Sequence, residues 1–168
     1  MRGQQVAQHA QRIGKDVGDQ YVELPAVFQR IRQPEGSGHL VLHGIVTAGL
    51  HGLRVNVDLP QQTLQVHADP RRLRQVLLNL LSNAIKYNKP AGQVTLSYQV
   101  SAGYIRLLVE DTGLGISSDQ QGKVFEPFQR LGREHSMIQG TGIGLALCQE
   151  LASLMRGRMG LHSEPGIG

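Results

Sequence analysis

Residues 75–87 read QVLLNLLSNAIKY, and the fold turns on how this stretch is read. At about 100° per residue, Leu73, Val76, Leu77, Leu80, Leu81, Ala84 and Ile85 fall on one arc of a helix, a face made for burial. Asp69-Pro70 marks the helix start, an N-cap carboxylate followed by proline at the first helical position. The spacing predicts a helix to about Tyr87, ended by Asn88-Lys-Pro-Ala-Gly. Gln75, Asn79, Asn83 and Lys86 form a second, polar stripe with Tyr87 at its margin. A plain solvated stripe usually carries Glu and Lys, because asparagine is a poorer helix former. Two asparagines in mid-helix cost about 1 kcal/mol together relative to alanine. The stripe is either a solvated face or a ligand-holding one. A carboxamide oxygen is a neutral, hard donor suited to Mg²⁺.

Outward from this helix the chain alternates strands and loops. LRVNVDL (53–59), QVTLSYQV (93–100), YIRLLVE (104–110) and RMGLHSE (158–164) read as strands, with a tight hairpin through Gly103. A short helical piece lies around QQGKVF, and a second strong helix carries LALCQELASLM and stops at Gly157. Residues 1–33 read as polar and helical, with a break near Gly18; Leu24, Val27, Phe28 and Ile31 sit at helical spacing, and QPEGSG (33–38) is a loop. Residues 39–51 fit helix and strand templates equally.

With 168 residues, 40% hydrophobic and 18% charged, the chain belongs with folded globular domains. No apolar run reaches the roughly 20 residues of a membrane helix, and the first residues lack a signal-peptide pattern. The single cysteine, Cys148, fits a reducing compartment and reads as a helix-packing thiol. The net charge of +4 is modest, and no aromatics are interleaved for base stacking, which argues against nucleic-acid binding.

Two glycine-rich stretches carry chemistry. In LLVEDTGLGIS (107–117) a strand runs into Asp111, then Gly113 and Gly115. This is either a turn or a place where a ligand approaches the backbone and a carboxylate accepts a hydrogen bond from an amine. In QGTGIGLAL (139–147), Gly140, Gly142 and Gly144 lead into a helix starting near Leu145, whose free N–H groups suit phosphate. The G-x-G-x-G spacing is not the dinucleotide fingerprint, and no G-x-x-x-x-G-K-[ST] loop occurs. Between them, VFEPFQRLGRE (124–134) reads as a loop pinned by Phe125 and Phe128, with Arg130 able to reach a phosphate.

Taken in order, NLLSNAIKY, EDTGLGI, FEPFQRL and GTGIGLAL resemble the N, G1, F and G2 boxes of sensor histidine kinases, within the superfamily of type II topoisomerases, Hsp90-type chaperones and MutL-type repair proteins. The resemblance spans roughly residues 53–168. It implies an α/β two-layer sandwich, a mixed sheet with helices on one face, its last strand lying past the Gly166-Ile-Gly168 turn. It implies ATP and Mg²⁺ as cofactors. Asn83 would coordinate Mg²⁺ on the phosphates, with Asn79 lining the same site. Lys86 would approach phosphate and Tyr87 border the nucleoside. Asp111 would accept from the adenine amine, backed by Gly113, Gly115 and Ile116, with Phe125 beside the site. Arg130 would lie near the terminal phosphate, and Gly140, Thr141, Gly142, Gly144 and Leu145 would form the lid and helix start. Asn79, Lys86 and Arg130 would serve catalysis.

In the hydrolytic relatives the position of Asn79 holds a glutamate, the general base for water. Asparagine cannot take that proton, so the resemblance implies phosphoryl transfer to a histidine rather than hydrolysis. The alternatives are a hydrolytic ATPase of the same superfamily and an anti-sigma-type serine kinase. None of the seven histidines carries the family's phosphoacceptor pattern, so the accepting histidine is expected on a separate domain. The implied organisation is a helical segment over 1–33, the tail of a dimerisation helix, and an ATP-binding domain over 34–168. The implied partners are a phosphoacceptor/dimerisation domain and a response-regulator receiver domain. The parent is expected to be a homodimer, with this part cytoplasmic and making no membrane contact.

Overall fold

A computed structural model describes residues 18–25, 52–58, 66–101, 103–129 and 141–168. In chain order they form β1 (Gly18–Pro25), β2 (Arg54–Val57), α1 (Pro70–Lys86), β3 (Gln93–Ser101), β4 (Tyr104–Asp111), the single turn α2 (Ser118–Gln121), α3 (Gly144–Leu154) and β5 (Arg158–His162). The five strands make one mixed sheet in the order β2-β3-β4-β1-β5. β2 runs parallel to β3, and the other pairs are antiparallel.

The α1 helix forms as its sequence dictates. The Asp69 carboxylate accepts from the amides of Arg71 (2.9 Å) and Arg72 (3.0 Å), and Pro70 opens the helix. The Arg72 amide, with that of Arg71, holds the Asp69 carboxyl below the usual range. Val76, Leu80, Leu81, Ala84 and Ile85 are buried. They meet Cys148, Ala152 and Met155 from α3 and its cap, and Val22, Leu24, Val94, Leu96 and Val109 from the sheet. All five of those strand residues alternate onto one sheet face, so both long helices cover that face and the architecture is the expected two-layer sandwich.

One expectation is corrected. Residues 18–25 are not helical: GDQYVELP is a strand, paired along its length with β4 and over Asp19–Glu23 with β5. The helical reading leaned on Leu24 together with Val27, Phe28 and Ile31, and those last three lie outside the described residues. Within 18–25 the period is two. Gln20, Val22 and Leu24 face the helices, while Tyr21 and Glu23 face away and Asp19, near the strand's start, borders the open end of the sheet. The expected boundary at residue 34 therefore fails, because Gly18–Pro25 is an integral strand of the sheet. The ambiguous stretch 39–51 lies outside the described residues.

The register of β1 is locked on the far face by one carboxylate. Glu23 lies opposite Arg106 of β4 and Arg158 of β5. It accepts from both guanidiniums, at 2.8 and 3.1 Å from Arg106 and at 2.6 and 2.9 Å from Arg158. The Arg106 guanidinium also stacks 4.3 Å from the Tyr21 ring centroid. Burial alone would raise the Glu23 pKa, but the two arginines outweigh it and hold the carboxyl below its usual value of 4.5. A depressed carboxylate contributes stability that is complete above the unfolded pKa and fades as pH falls through the lower folded value. Glu23→Gln should cost about 1–3 kcal/mol in urea unfolding at neutral pH. It should also remove part of the stability loss seen on acidification below pH 4.5. An unchanged acid limb in the variant would refute the assignment.

Candidate functional site

A cleft of about 260 Å³ opens between the two long helices and one end of the sheet. Its floor is Asp111, the last residue of β4. One wall is the polar stripe of α1, with Asn79, Asn83, Lys86 and Tyr87 joined by Ser82. Gly115 and Ile116 come from the loop after β4, and Thr141, Gly142, Gly144 and Leu145 from the approach to α3. The sequence motifs, dispersed over some sixty residues, thus converge on one concavity.

Asp111 is the most perturbed group there. Burial pushes its carboxyl up from 3.8 to about 6, partly opposed by the Gly113 amide, which donates to Oδ1 at 2.8 Å. At neutral pH it is an ionised, poorly hydrated acceptor, ready for a donor such as an amine. Its place is set by a polar clamp at the end of α1. The Asn88 carboxamide donates to the carbonyls of Ala84 and Gln93, each at 3.0 Å, and accepts from the Thr112 hydroxyl at 3.3 Å. Thr112 Oγ1 in turn accepts from the Gln93 amide at 2.9 Å. Asn88 was legible only as a turn residue, yet it ties the helix end to both strands beside Asp111.

The loop after Asp111 is stitched down by backbone. Leu114 N–H donates to the Tyr87 carbonyl at 3.1 Å, and the Leu114 carbonyl accepts from Gly166 N–H at 2.9 Å. Ile116 N–H donates to Ser163 Oγ at 2.8 Å, and that hydroxyl donates to the Gly168 carbonyl at 2.6 Å. Gln121 Nε2 reaches the carbonyls of Ile116 and Ser163. Gly115, at φ +68°, passes so close to Glu164 that a Cβ would overlap its carbonyl. Gly142, at φ +70°, packs against the backbone of Phe128 and Gln129. Gly144, by contrast, has open space around it.

On α1, Asn79 Nδ2 donates to Cys148 Sγ at 3.4 Å, so this asparagine also joins the two helices. Cys148 is fully buried, which bears out a packing role. The Asn83 carboxamide is half-buried and has no hydrogen-bond partner among the described residues. The Lys86 ammonium lies 5.9 Å from the Tyr87 ring centroid. At the start of α3 no side chain caps the helix, and no acidic residue stands in its first turn, leaving N–H groups and a positive dipole end toward the cleft.

Not every expected residue lines the cleft. Gly113 is buried behind Asp111, and Phe125 stands outside the lining, its neighbour Val124 taking that place. Arg130 and Gly140 lie outside the described residues. Phe128 does not pin its loop to the core: it is 75% exposed at φ +66°, held through its N–H to the Gly142 carbonyl at 2.9 Å. Cleft-lining residues that the sequence reading did not single out include Asp19, Gln20, Leu161, His162 and Ser163. Ser163 had no signal beyond its place before a turn, and Gln20 lay in the stretch misread as helix.

An open mixed sheet, helices on one face, and a cleft joining a partly buried carboxylate to an uncapped helix start define a nucleotide-binding α/β sandwich. The profile of the family described as "Histidine kinase-, DNA gyrase B-, and HSP90-like ATPase" matches residues 68–168, and the chain belongs to that family. The sensor histidine kinase RcsC of Escherichia coli (strain K12) is 41% identical over 110 residues, covering 65% of this chain and 12% of that protein. The mycobacterial sensor histidine kinase MprB superposes with TM-score 0.57 at 29% identity, over 68% of this chain and 75% of that one. Full-length ShkA, crystallised in complex with AMPPNP, superposes with TM-score 0.57 at 27% identity, over 81% of this chain and 31% of that one. The chain thus spans only a small part of RcsC's length.

Proposed function

We propose that this chain is the ATP-binding catalytic unit of a two-component sensor histidine kinase, transferring the γ-phosphoryl group to a histidine on a separate phosphoacceptor/dimerisation domain. The observation that carries this reading is the convergence of Asn79, Asn83, Asp111 and the uncapped start of α3 on one cleft. Asp111 accepts from the adenine amine. Tyr87 and Ile116 border the nucleoside, and the N–H groups at the start of α3 face the phosphates, with Lys86 and Arg130 supplying positive charge.

Mg²⁺ fits the donor set. Asn83 offers one neutral oxygen unclaimed by any described neighbour, and Mg²⁺ typically takes one or two protein oxygens beside phosphates and water. No group of three or more metal-ligating side chains competes for it among the described residues. When bound with ATP, the ion neutralises charge on the phosphates. Asn79 stands beside them without a basic lone pair. The carboxylates lining the cleft are Asp111 at the end of β4 and Asp19, one position from Asp111's strand partner Gly18. Both therefore sit at the base end, so among the described residues no carboxylate stands at the phosphate end to serve water as a general base. Transfer then rests on alignment and charge, as phosphoryl transfer generally does.

The partners are the parent's phosphoacceptor/dimerisation domain and, downstream, a receiver domain, with the parent a homodimer and this unit cytoplasmic. No helix among the described residues is long and apolar enough to cross a membrane. The test is a transfer assay with γ-labelled ATP and the parent's phosphoacceptor domain. The expected product is acid-labile, base-stable phosphate on that domain, with little free phosphate. Brisk phosphate release and an unlabelled acceptor would instead indicate a hydrolase.

A further inference from the structure

We propose that Gln20 is a second base-reading residue, its side-chain oxygen accepting the adenine N–H that Asp111 leaves free. This rests on the nucleotide-binding reading above and extends it to a strand outside every sequence motif. Gln20 lies in β1 opposite Val109 of β4 and Leu161 of β5. Alternation puts it on the helix-facing side, with Val22 and Leu24, both fully buried. Asp111 is two residues beyond Val109 on that same face, making it the diagonal neighbour of Gln20, about 7 Å away between strands. Two acceptors at that spacing can flank a single exocyclic amine, which offers two N–H groups.

The position is unusual for a carboxamide. Gln20 is 9% exposed and lines the cleft. Its Oε1 is buried and has no hydrogen-bond partner among the described residues. An oxygen stripped of water and left unpaired destabilises the fold, and native proteins keep such groups rarely. Packing beside Val22 and its cross-strand neighbours Val109 and Leu161 would be served better by methionine or leucine. A ligand that supplies the missing donor accounts for the amide. Its neutrality matters too, since a carboxylate at this position would raise Asp111 further and narrow the pH range in which it is ionised.

The test uses the full chain and calorimetric titration with Mg·ATP and with purine riboside triphosphate, which lacks the amine. Gln20→Met removes the acceptor at nearly constant volume. It should weaken ATP about tenfold, leave the purine analogue within twofold, and raise the melting temperature of the ligand-free protein. Gln20→Glu keeps an acceptor in place and should retain the preference for ATP over the analogue at pH 8. Equal weakening of both nucleotides by Gln20→Met would make the residue structural and overturn the proposal, as would unchanged ATP affinity. Failure of the wild type to bind either nucleotide would sink the nucleotide-binding reading itself, and this proposal with it.

Discussion

Asp111→Asn will bind Mg·ATP about 10- to 100-fold more weakly than the wild type at pH 7.5, the cost of one charge-assisted hydrogen bond. Without ligand, the same variant will be more stable than the wild type. Both effects follow from a carboxyl held at about 6 in the folded protein against 3.8 in the unfolded chain. Below pH 3.8 both states are protonated and the site carries no penalty. As pH rises from 3.8 through about 6, the unfolded chain loses its proton first, and folding stability falls. Above pH 6 the penalty is complete at about 3 kcal/mol. Asparagine escapes it while giving up some of the bond to the Gly113 amide, so a net gain of about 1–2 kcal/mol is expected at pH 8.

The pH dependence of binding runs the opposite way. A donor amine requires the ionised carboxylate, so wild-type affinity should decline as pH drops below about 6. Phosphate titration contributes equally in both proteins, so the difference between wild type and variant isolates Asp111. Calorimetry at pH 5.5, 6.5 and 7.5 with thermal melts at pH 8 checks both limbs. Equal ATP affinity, or a variant less stable than the wild type, would end the assignment of Asp111 as base acceptor.

Gly115→Ala will remove about 3–5 kcal/mol of stability, a large share of a domain's total. The backbone at φ +68° already disfavours a side chain by about 1–2 kcal/mol. The new methyl would overlap the Glu164 carbonyl and press on Glu164 C at 2.6 Å and Pro165 Cα at 2.9 Å. Those are backbone atoms and cannot swing aside. Relief would require parting the loop after β4 from the 163–168 turn, breaking the Gly166–Leu114 and Ile116–Ser163 bonds. Gly122→Ala is the control. Gly122 sits at φ −63°, and an added methyl there would find nothing within 4 Å, so its change should stay within about 0.5 kcal/mol. Urea unfolding of the two variants side by side reads the contrast; similar midpoints would show that the loop tolerates side chains there.

Much of the fold was legible because it is encoded locally. The α1 helix starts and stops where Asp69-Pro70 and Asn88 say it should, since caps and a 3.6-residue apolar period act within a few residues. The strands β2 to β5 announced themselves by alternation. Asn79, Asn83, Asp111 and the glycines before α3 were readable as a set only because four motifs occur in order.

Local signals thus suffice for the elements with clear caps and periods and for the residue types of the cleft. Tertiary structure alone decided that GDQYVELP is a strand, because its backbone hydrogen bonds and Glu23's two arginines come from segments more than seventy residues away. It alone decided that Gln20 faces the cleft, that Asn88 braces Asp111, and that Phe128 points to solvent. The physical reason is common to all of them. Burial and hydrogen-bond partnership belong to pairs of residues, and until the sheet order is known, a sequence states only one member of each pair.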